Sequence, residues 1–176
     1  MAYHYSIKDQ GAVHFVTFTV RRWVDVFTRS AYCDILIESL KYCQDRKGLE
    51  IFAWVIMSNH AHLILRAKDE NLSDNLRDLK KFTSKKIFNA ICENPKESRK
   101  QWLKMLLSYE DKIWFWEEGY HGEEIFTQEF FDQKVNYIHS NPVRANIVEK
   151  EEEYLYSSAA DFYGVRKGYL DLCQFG

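Results

Sequence analysis

The sequence predicts an α+β fold in which an antiparallel sheet carries helices packed on one face. Short runs rich in β-branched and aromatic residues alternate with longer runs whose apolar residues recur every three or four positions. Two of the short runs are separated only by Ser58 and Asn59, a turn pair that predicts a hairpin and therefore antiparallel strands. The chain has 176 residues, of which 46% are hydrophobic, so we expect a single domain spanning residues 1–176.

The first half of the chain contains three predicted strands and one helix. Residues 13–20 (VHFVTFTV) lack a helical period and predict the first strand. A helix follows over residues 30–47, where a serine can cap the first turn and a glycine follows the last. Residues 50–57 are nearly all apolar and predict a central strand, with residues 61–67 as its hairpin partner.

The second half is mainly helical. A helix is predicted over residues 73–94 and a short strand over residues 123–127. Residues 128–141 carry apolar side chains at helical spacing, and we expect Pro142 to end that helix. The resulting order, β-α-β-β-α-β-α, is most economically a ferredoxin-like arrangement.

Composition argues against several classes of protein. No run approaches the ~20 apolar residues of a membrane span, and residues 1–6 do not begin a secretory signal, so we expect a cytoplasmic protein with no membrane partner. The four cysteines, at positions 33, 43, 92 and 173, form no CxxC pair. They are therefore expected to be free thiols rather than zinc ligands.

Charge is distributed unevenly, although the net charge is only −2. Residues 76–104 contain nine Lys or Arg against three acids, whereas residues 109–134 contain eight acids against two lysines. Within the basic segment, Arg77, Lys81 and Lys85 form an i, i+4, i+8 row on the predicted helix. Such a row could steer a phosphate backbone or could be an ordinary solvated helix face, and both interpretations stay open.

His60 and His62 lie at the start of the third predicted strand. Because side chains alternate along a strand, both imidazoles project from one face, while Ala61, Leu63 and Leu65 project from the other. Two adjacent imidazoles supply half of a metal site. The alternative is a polar pair at a strand end, in which a neighbour satisfies one ring.

Tyr137 and Asn141 lie one turn apart on the last predicted helix. In isolation, this pair could be a packed ring and a helix cap ahead of Pro142. Combined with the histidines, it offers a mechanism. Two imidazole nitrogens and an amide oxygen could hold a divalent cation that leaves positions open for a phosphate oxygen and water. The Tyr137 hydroxyl could then attack phosphorus, and the phosphotyrosine formed would let a free 3′-hydroxyl rejoin the strand later.

Three segments resemble a known family. Residues 55–64 (VIMSNHAHLI) resemble the histidine–hydrophobic–histidine (HUH) motif of the IS200/IS605-type single-tyrosine transposases. Residues 137–148 (YIHSNPVRANIV) and 153–159 (EYLYSSA) resemble their REP-associated tyrosine transposase branch. The resemblance implies a metal-dependent endonuclease and strand transferase, active in DNA transposition, that cleaves single-stranded DNA at hairpin-associated sites through a 5′-phosphotyrosine.

Carried over by position, the resemblance implies that His60 and His62 are metal ligands, Asn141 is the third ligand and Tyr137 is the nucleophile. It also implies a ferredoxin-like fold with the histidines on a central strand and the tyrosine on a C-terminal helix. The expected cation is Mg²⁺ or Mn²⁺, bound firmly only with DNA. A homodimer in which the partner supplies the tyrosine and a self-sufficient monomer both remain open.

Single-stranded or hairpin DNA is the expected partner. The residues that we expect to bind it are basic: Arg77, Lys80, Lys81, Lys85, Lys86 and Arg144. The aromatic residues 114–116 could stack on unpaired bases, or could pack in the core. The carboxylates of the acidic segment 117–124 would repel DNA if they faced it, and His121 within it could assist proton transfer or be an exposed loop residue.

Two other functions remain possible from the sequence. In a metal-dependent hydrolase, water would attack the phosphate and Tyr137 would only orient the substrate, so no covalent adduct would form. A domesticated hairpin-binding protein would bind the DNA without cleaving it. The intact histidines and tyrosine favour the transposase.

Overall fold

The computed structural model describes residues 7–176, so the predictions that fall on residues 1–6, among them the lack of a secretory signal, lie outside the described part. The elements are β1 (His14–Thr19), α1 (Ser30–Lys47), β2 (Leu49–Ile56), β3 (His60–Ala67), α2 (Leu72–Glu93), α3 (Lys100–Leu107), β4 (Ser108–Tyr109), β5 (Lys112–Ile113), β6 (His121–Glu124), α4 (Gln128–Arg144) and α5 (Ala159–Phe162). None of the described helices is both long enough and apolar enough to cross a membrane.

The main sheet has the strand order β2-β3-β1-β6, and every neighbouring pair is antiparallel. With α1 after β1 and α2 after β3, this order confirms the predicted α+β, ferredoxin-like class. Strands β4 and β5 form a separate two-stranded ribbon. Gly48 ends α1 in the left-handed conformation (φ 63°), as its place after the last apolar residue predicts.

The helices occupy both faces of the sheet, which corrects the expectation that they share one. One apolar cluster joins α1 and α2 to Phe18 and Leu63; the other joins α4 to Phe15 and Ile64. Strand β2 shows why. Seven of its eight residues are buried, so both of its faces need cover and a second helical layer is required.

Helix α4 continues through Pro142 to Arg144, so the prediction that this proline ends the helix is wrong. A proline lacks only its own N–H donor, and in the last turn this removes a single bond to the carbonyl four residues earlier. At the end of the helix, the Ala145 N–H still bonds the Asn141 carbonyl at 3.0 Å. The helix therefore ends about two turns beyond Tyr137.

The segment after α4 covers the outer edge of β2. Ser157 bridges Val55, the Ser158 N–H donates to the Trp54 carbonyl at 2.9 Å, and the Cys173 N–H donates to the Ile51 carbonyl at 2.8 Å. Phe175 then stacks on Phe131 of α4, with ring centroids 4.3 Å apart. An open sheet edge is a template for wrong pairing, and this segment closes it while supporting α4.

Candidate active site

His60 and His62 project from β3 toward the layer that contains α4. Their ring centroids are 4.7 Å apart, and across the sheet they are paired with Thr19 and Thr17 of β1. His62 is only 5% exposed, whereas His60 is half-buried. The strand period thus places both imidazoles on one face, with the intervening alanine in the opposite core.

Hydrogen bonds at one nitrogen of each imidazole leave the other nitrogen available. The Asn59 amide nitrogen donates to the Trp23 carbonyl at 3.2 Å, which turns the amide oxygen toward His60 Nδ1 at 2.7 Å. That oxygen can only accept, so Nδ1 of His60 carries the proton and Nε2 keeps its lone pair. His62 Nδ1 lies 2.8 Å from the Thr17 hydroxyl oxygen and can adopt the same tautomer. Metal-binding histidines are commonly oriented in this way.

Both imidazoles are held neutral. Burial lowers the pKa of His62 to about 3, and the charges of His60 (when it is protonated), Lys134 and Arg144 contribute. Burial also lowers the pKa of His60. A neutral imidazole is the form that binds a metal, so the pair is ready for ligation at neutral pH without losing a proton.

The two imidazole nitrogens would fit a divalent cation that other ligands and the substrate complete. Within residues 7–176, no group of three or more His, Cys, Asp or Glu side chains could hold a metal, so a third protein ligand must be of another type. Asn141 offers an amide oxygen, and its amide nitrogen donates to the Tyr137 carbonyl at 2.9 Å. Two imidazoles and one amide would leave positions for phosphate oxygen and water.

Tyr137 lies against the histidines of its own chain. The centroid of its ring is 5.2 Å from that of His62 and 6.0 Å from that of Phe15. The Arg144 guanidinium carbon lies 4.6 Å from the ring centroid, and the side chain is 39% exposed. The phenol is therefore neither buried in the core nor distant from the imidazoles, and a strand from solvent can reach it.

The packing of α4 fixes where Tyr137 lies. The Thr127 hydroxyl caps the helix by accepting from the Phe130 N–H at 3.2 Å, and Val135 and Ile138 pack onto the sheet. His139, one residue further, is fully buried and its Nε2 lies 2.8 Å from the Ser158 hydroxyl. Burial lowers the pKa of His139 to about 4. As its offset of two residues predicts, His139 occupies a different helix face from Tyr137 and anchors the helix.

Sequence reasoning missed Lys134, which lies one turn before Tyr137 on α4. Its ammonium nitrogen is 4.3 Å from the Phe15 ring centroid and 2.8 Å from a carboxylate oxygen of Glu123. It is close enough to His62 to contribute to the lowered pKa of that imidazole. The helical spacing of three was visible in the sequence, but the partner on β6 was not.

The basic residues of α2 lie in the layer on the opposite side of the sheet from the histidines, and only Arg144 of the predicted DNA-binding set contacts the site. Lys80 donates to the carbonyls of Glu117, at 2.8 Å, and Gly119, and burial lowers its pKa to about 8. Arg77 and Lys86 are paired with acidic side chains of the same layer. All three members of the helical row, Arg77, Lys81 and Lys85, are exposed, and Arg77 is the one engaged by ion pairs.

Two carboxylates of the acidic segment are engaged by the protein itself. A Glu117 carboxylate oxygen accepts from the Arg22 N–H at 2.7 Å, and Glu123 is the partner of Lys134. His121 is exposed on β6, opposite Thr17. Of the aromatic residues 114–116, the second and third are buried in the core.

Comparison with known proteins agrees with this architecture. Residues 8–141 match the family model described as "Transposase IS200 like". A structure of a REP-associated tyrosine transposase bound to a REP hairpin superposes with a TM-score of 0.65 and 21% identity, covering 99% of this chain and 95% of that one. A putative transposase from Deinococcus radiodurans R1 gives a TM-score of 0.44 and 18% identity over 78% of this chain and 92% of its own.

No curated protein sequence matches the chain. The family match nevertheless covers most of it, including the histidine strand and α4 as far as Asn141. On that match, the chain belongs to the IS200-like transposase family of DNA-cleaving enzymes.

Proposed function

We propose that this transposase is a metal-dependent endonuclease and strand transferase that cleaves single-stranded DNA at hairpin-associated sites, in the manner of the REP-associated branch. The observation that carries the proposal is the position of Tyr137, whose ring lies 5.2 Å from that of His62 in the same chain. A nucleophile and a pair of metal ligands are thus close enough to act on one phosphodiester.

Each group has a separate role in the proposed reaction. His60 and His62, through Nε2, and Asn141, through its amide oxygen, would hold Mg²⁺ or Mn²⁺, which would polarise the scissile phosphate. The Tyr137 hydroxyl oxygen attacks phosphorus, the new O–P bond replaces the P–O3′ bond, and the DNA leaves with a free 3′-hydroxyl. The phenol releases its proton to solvent, and the departing 3′-oxygen takes one up. Arg144, above the ring, stabilises negative charge on the phenol oxygen.

The reverse reaction rejoins DNA. A phenol is a better leaving group than an aliphatic alcohol, so a 3′-hydroxyl can attack the phosphotyrosine and release Tyr137. The phosphotyrosine thus preserves the energy of the broken phosphodiester bond, whereas hydrolysis would lose it. A similar structure with a REP hairpin bound supports hairpin DNA as the class of substrate. Because donors and nucleophile belong to one chain, we propose that one molecule can carry out cleavage in the cytoplasm.

The test is a covalent adduct on hairpin-bearing oligonucleotides taken from the DNA that flanks the gene. With a 3′ label and Mn²⁺, wild type should give a protein–DNA band that survives denaturation. Tyr137→Phe should give none, because it removes one oxygen while the ring contacts remain. Tyr42→Phe, at an exposed tyrosine of α1, is the matched control and should behave as wild type.

Other outcomes would replace the proposal. Equal nicking by Tyr137→Phe and wild type would show that Tyr137 is not the nucleophile. Multiple turnover without an adduct would indicate the hydrolase. Tight binding without cleavage in either metal would indicate a domesticated hairpin-binding protein.

A further inference from the structure

Trp23 is a large aromatic side chain that lies exposed at the edge of the histidine site. It is 61% exposed, and its ring centroid is 6.0 Å from that of His60 in an edge-on arrangement. Its carbonyl accepts the hydrogen bond from Asn59 that orients His60. The indole therefore borders the predicted metal ligand while most of its surface faces solvent.

The backbone that presents this ring is strained. Arg22 and Trp23 both have φ near 56°, in the left-handed region that L residues other than glycine seldom adopt. The Glu117 carboxylate bonds the Arg22 N–H at 2.7 Å, and the Val20 carbonyl bonds the Trp23 N–H at 2.9 Å. Surrounding contacts thus hold two large side chains where glycine would fit without strain, and such strain is concentrated at ligand-binding sites.

Two arginines directly precede Trp23 in the sequence. Arg22 is exposed next to it in sequence, and the guanidinium of Arg21 lies 4.9 Å from the centroid of the partly exposed Trp114 ring. A flat apolar surface beside a guanidinium matches one unpaired nucleotide, whose base stacks on the ring while its phosphate pairs with the cation. A duplex offers no free base face, so this surface favours a single strand.

We propose that Trp23 and Arg22 form a subsite for one unpaired nucleobase that flanks the cleaved phosphate. The proposal rests on the proposed function, because the strand must pass His60 to reach Tyr137. The subsite positions the strand and takes no part in bond making. Stacking is tolerant of base identity, so the subsite should require a base without selecting one.

The test is whether binding depends on the presence of bases. Fluorescence anisotropy would compare an oligothymidylate strand with an abasic strand of equal length, for wild type, Trp23→Ala, Trp23→Tyr and Trp102→Ala. Wild type should bind the thymidine strand more tightly. Trp23→Ala should weaken that binding by about 5- to 150-fold, the range for one stacked base, and should leave the abasic strand unaffected.

The other variants separate stacking from general effects. Trp102→Ala removes another exposed indole, on α3, and should keep the full preference for bases. Trp23→Tyr retains a ring and should keep most of the preference; if it folds but loses the preference, stacking on this ring is wrong. Equal loss for thymidine and abasic strands, or no loss for either, would overturn the subsite.

The two proposals can fail independently. If wild type forms the Tyr137 adduct but Trp23→Ala keeps the preference for bases, the subsite is wrong and the cleavage chemistry stands. If the preference depends on Trp23 but no adduct forms, the subsite stands and the nucleophile assignment falls.

Discussion

On the proposed metal-dependent mechanism, replacing Thr17 with valine should raise the metal concentration that cleavage requires, without altering the fold. The Thr17 hydroxyl lies 2.8 Å from Nδ1 of His62, and valine has the same shape without the oxygen. His62 is only 5% exposed, so few other partners can replace the lost one. Nothing would then favour the tautomer that leaves Nε2 free. Losing a ligand's supporting hydrogen bond typically costs about 10- to 100-fold in metal affinity, or about 1.4–2.7 kcal/mol.

The assay is the rate of adduct formation against Mn²⁺ concentration, at a fixed concentration of hairpin oligonucleotide. Thr17→Val should raise the half-saturating concentration about 10- to 100-fold. Thr19→Val is the matched control, since Thr19 faces His60 from the same strand but His60 Nδ1 is satisfied by Asn59. The reasoning is refuted if Thr17→Val needs no more metal than wild type, or if Thr19→Val needs as much as Thr17→Val.

Three further predictions concern stability and DNA binding. Because the folded pKa of His139 is about 4 and its unfolded value about 6.5, its stabilisation is complete above pH 6.5 and falls as pH drops to 4, by up to about 3 kcal/mol. Denaturant unfolding of His139→Asn should therefore show a flatter pH profile than wild type; an unchanged profile would contradict this. Glu97→Ala should lower the free energy of unfolding by about 3 kcal/mol, since it leaves two guanidiniums without their buried partner, whereas exposed Glu93→Ala should change it by less than about 0.5. Lys85→Met should reduce the steepness with which the DNA association constant falls with salt, by about 0.9 in a log–log plot, and should leave the melting temperature unchanged. Lys80→Met should instead lower the melting temperature, because its ammonium bonds backbone carbonyls. The reverse pattern would show that Lys80 binds phosphate.

The contribution of Glu97 to the free energy of unfolding decreases in acid. Burial would raise the pKa of its carboxyl, but hydrogen bonds from Arg29 and Arg99 outweigh burial and lower the pKa to about 2. The stabilisation is therefore present above the unfolded pKa and is lost as pH falls toward 2. As the pH falls, protonation of His139 therefore reduces stability mostly above pH 4, and protonation of Glu97 reduces it mostly below pH 4.

Local periodicity predicted much of this fold. The alternation of side chains in β3 places His60 and His62 together, and the helical spacing in α4 places Asn141 one turn after Tyr137. Both relations involve few residues and a known repeat, so no tertiary information is needed. Helix α1 has the predicted bounds, and β2 differs by one residue at either end.

Contacts between secondary-structure elements could not be predicted from the sequence as well. A fully apolar strand such as β2 needs cover on both faces but does not indicate which helix supplies it, so α4 was assigned to the wrong layer. The basic composition of residues 76–104 predicts that Lys80 is available to DNA, whereas its ammonium contacts two carbonyls of a loop that is distant in sequence. The pairing of Lys134 with Glu123 likewise depends on the approach of β6 to α4.

Residues after α4 support this helix, and this matters when one decides whether a shortened gene copy encodes an active enzyme. The family match stops at residue 141, yet Ser158 and Phe175 hold the helix that carries Tyr137. A copy that a premature stop codon shortens after Ile147 would keep His60, His62, Tyr137 and Asn141, the residues that we propose for the reaction. It would nonetheless encode Tyr137 on a helix that lacks its packing against Ser158 and Phe175. A genome survey that scores motifs alone would count that relic as an active element.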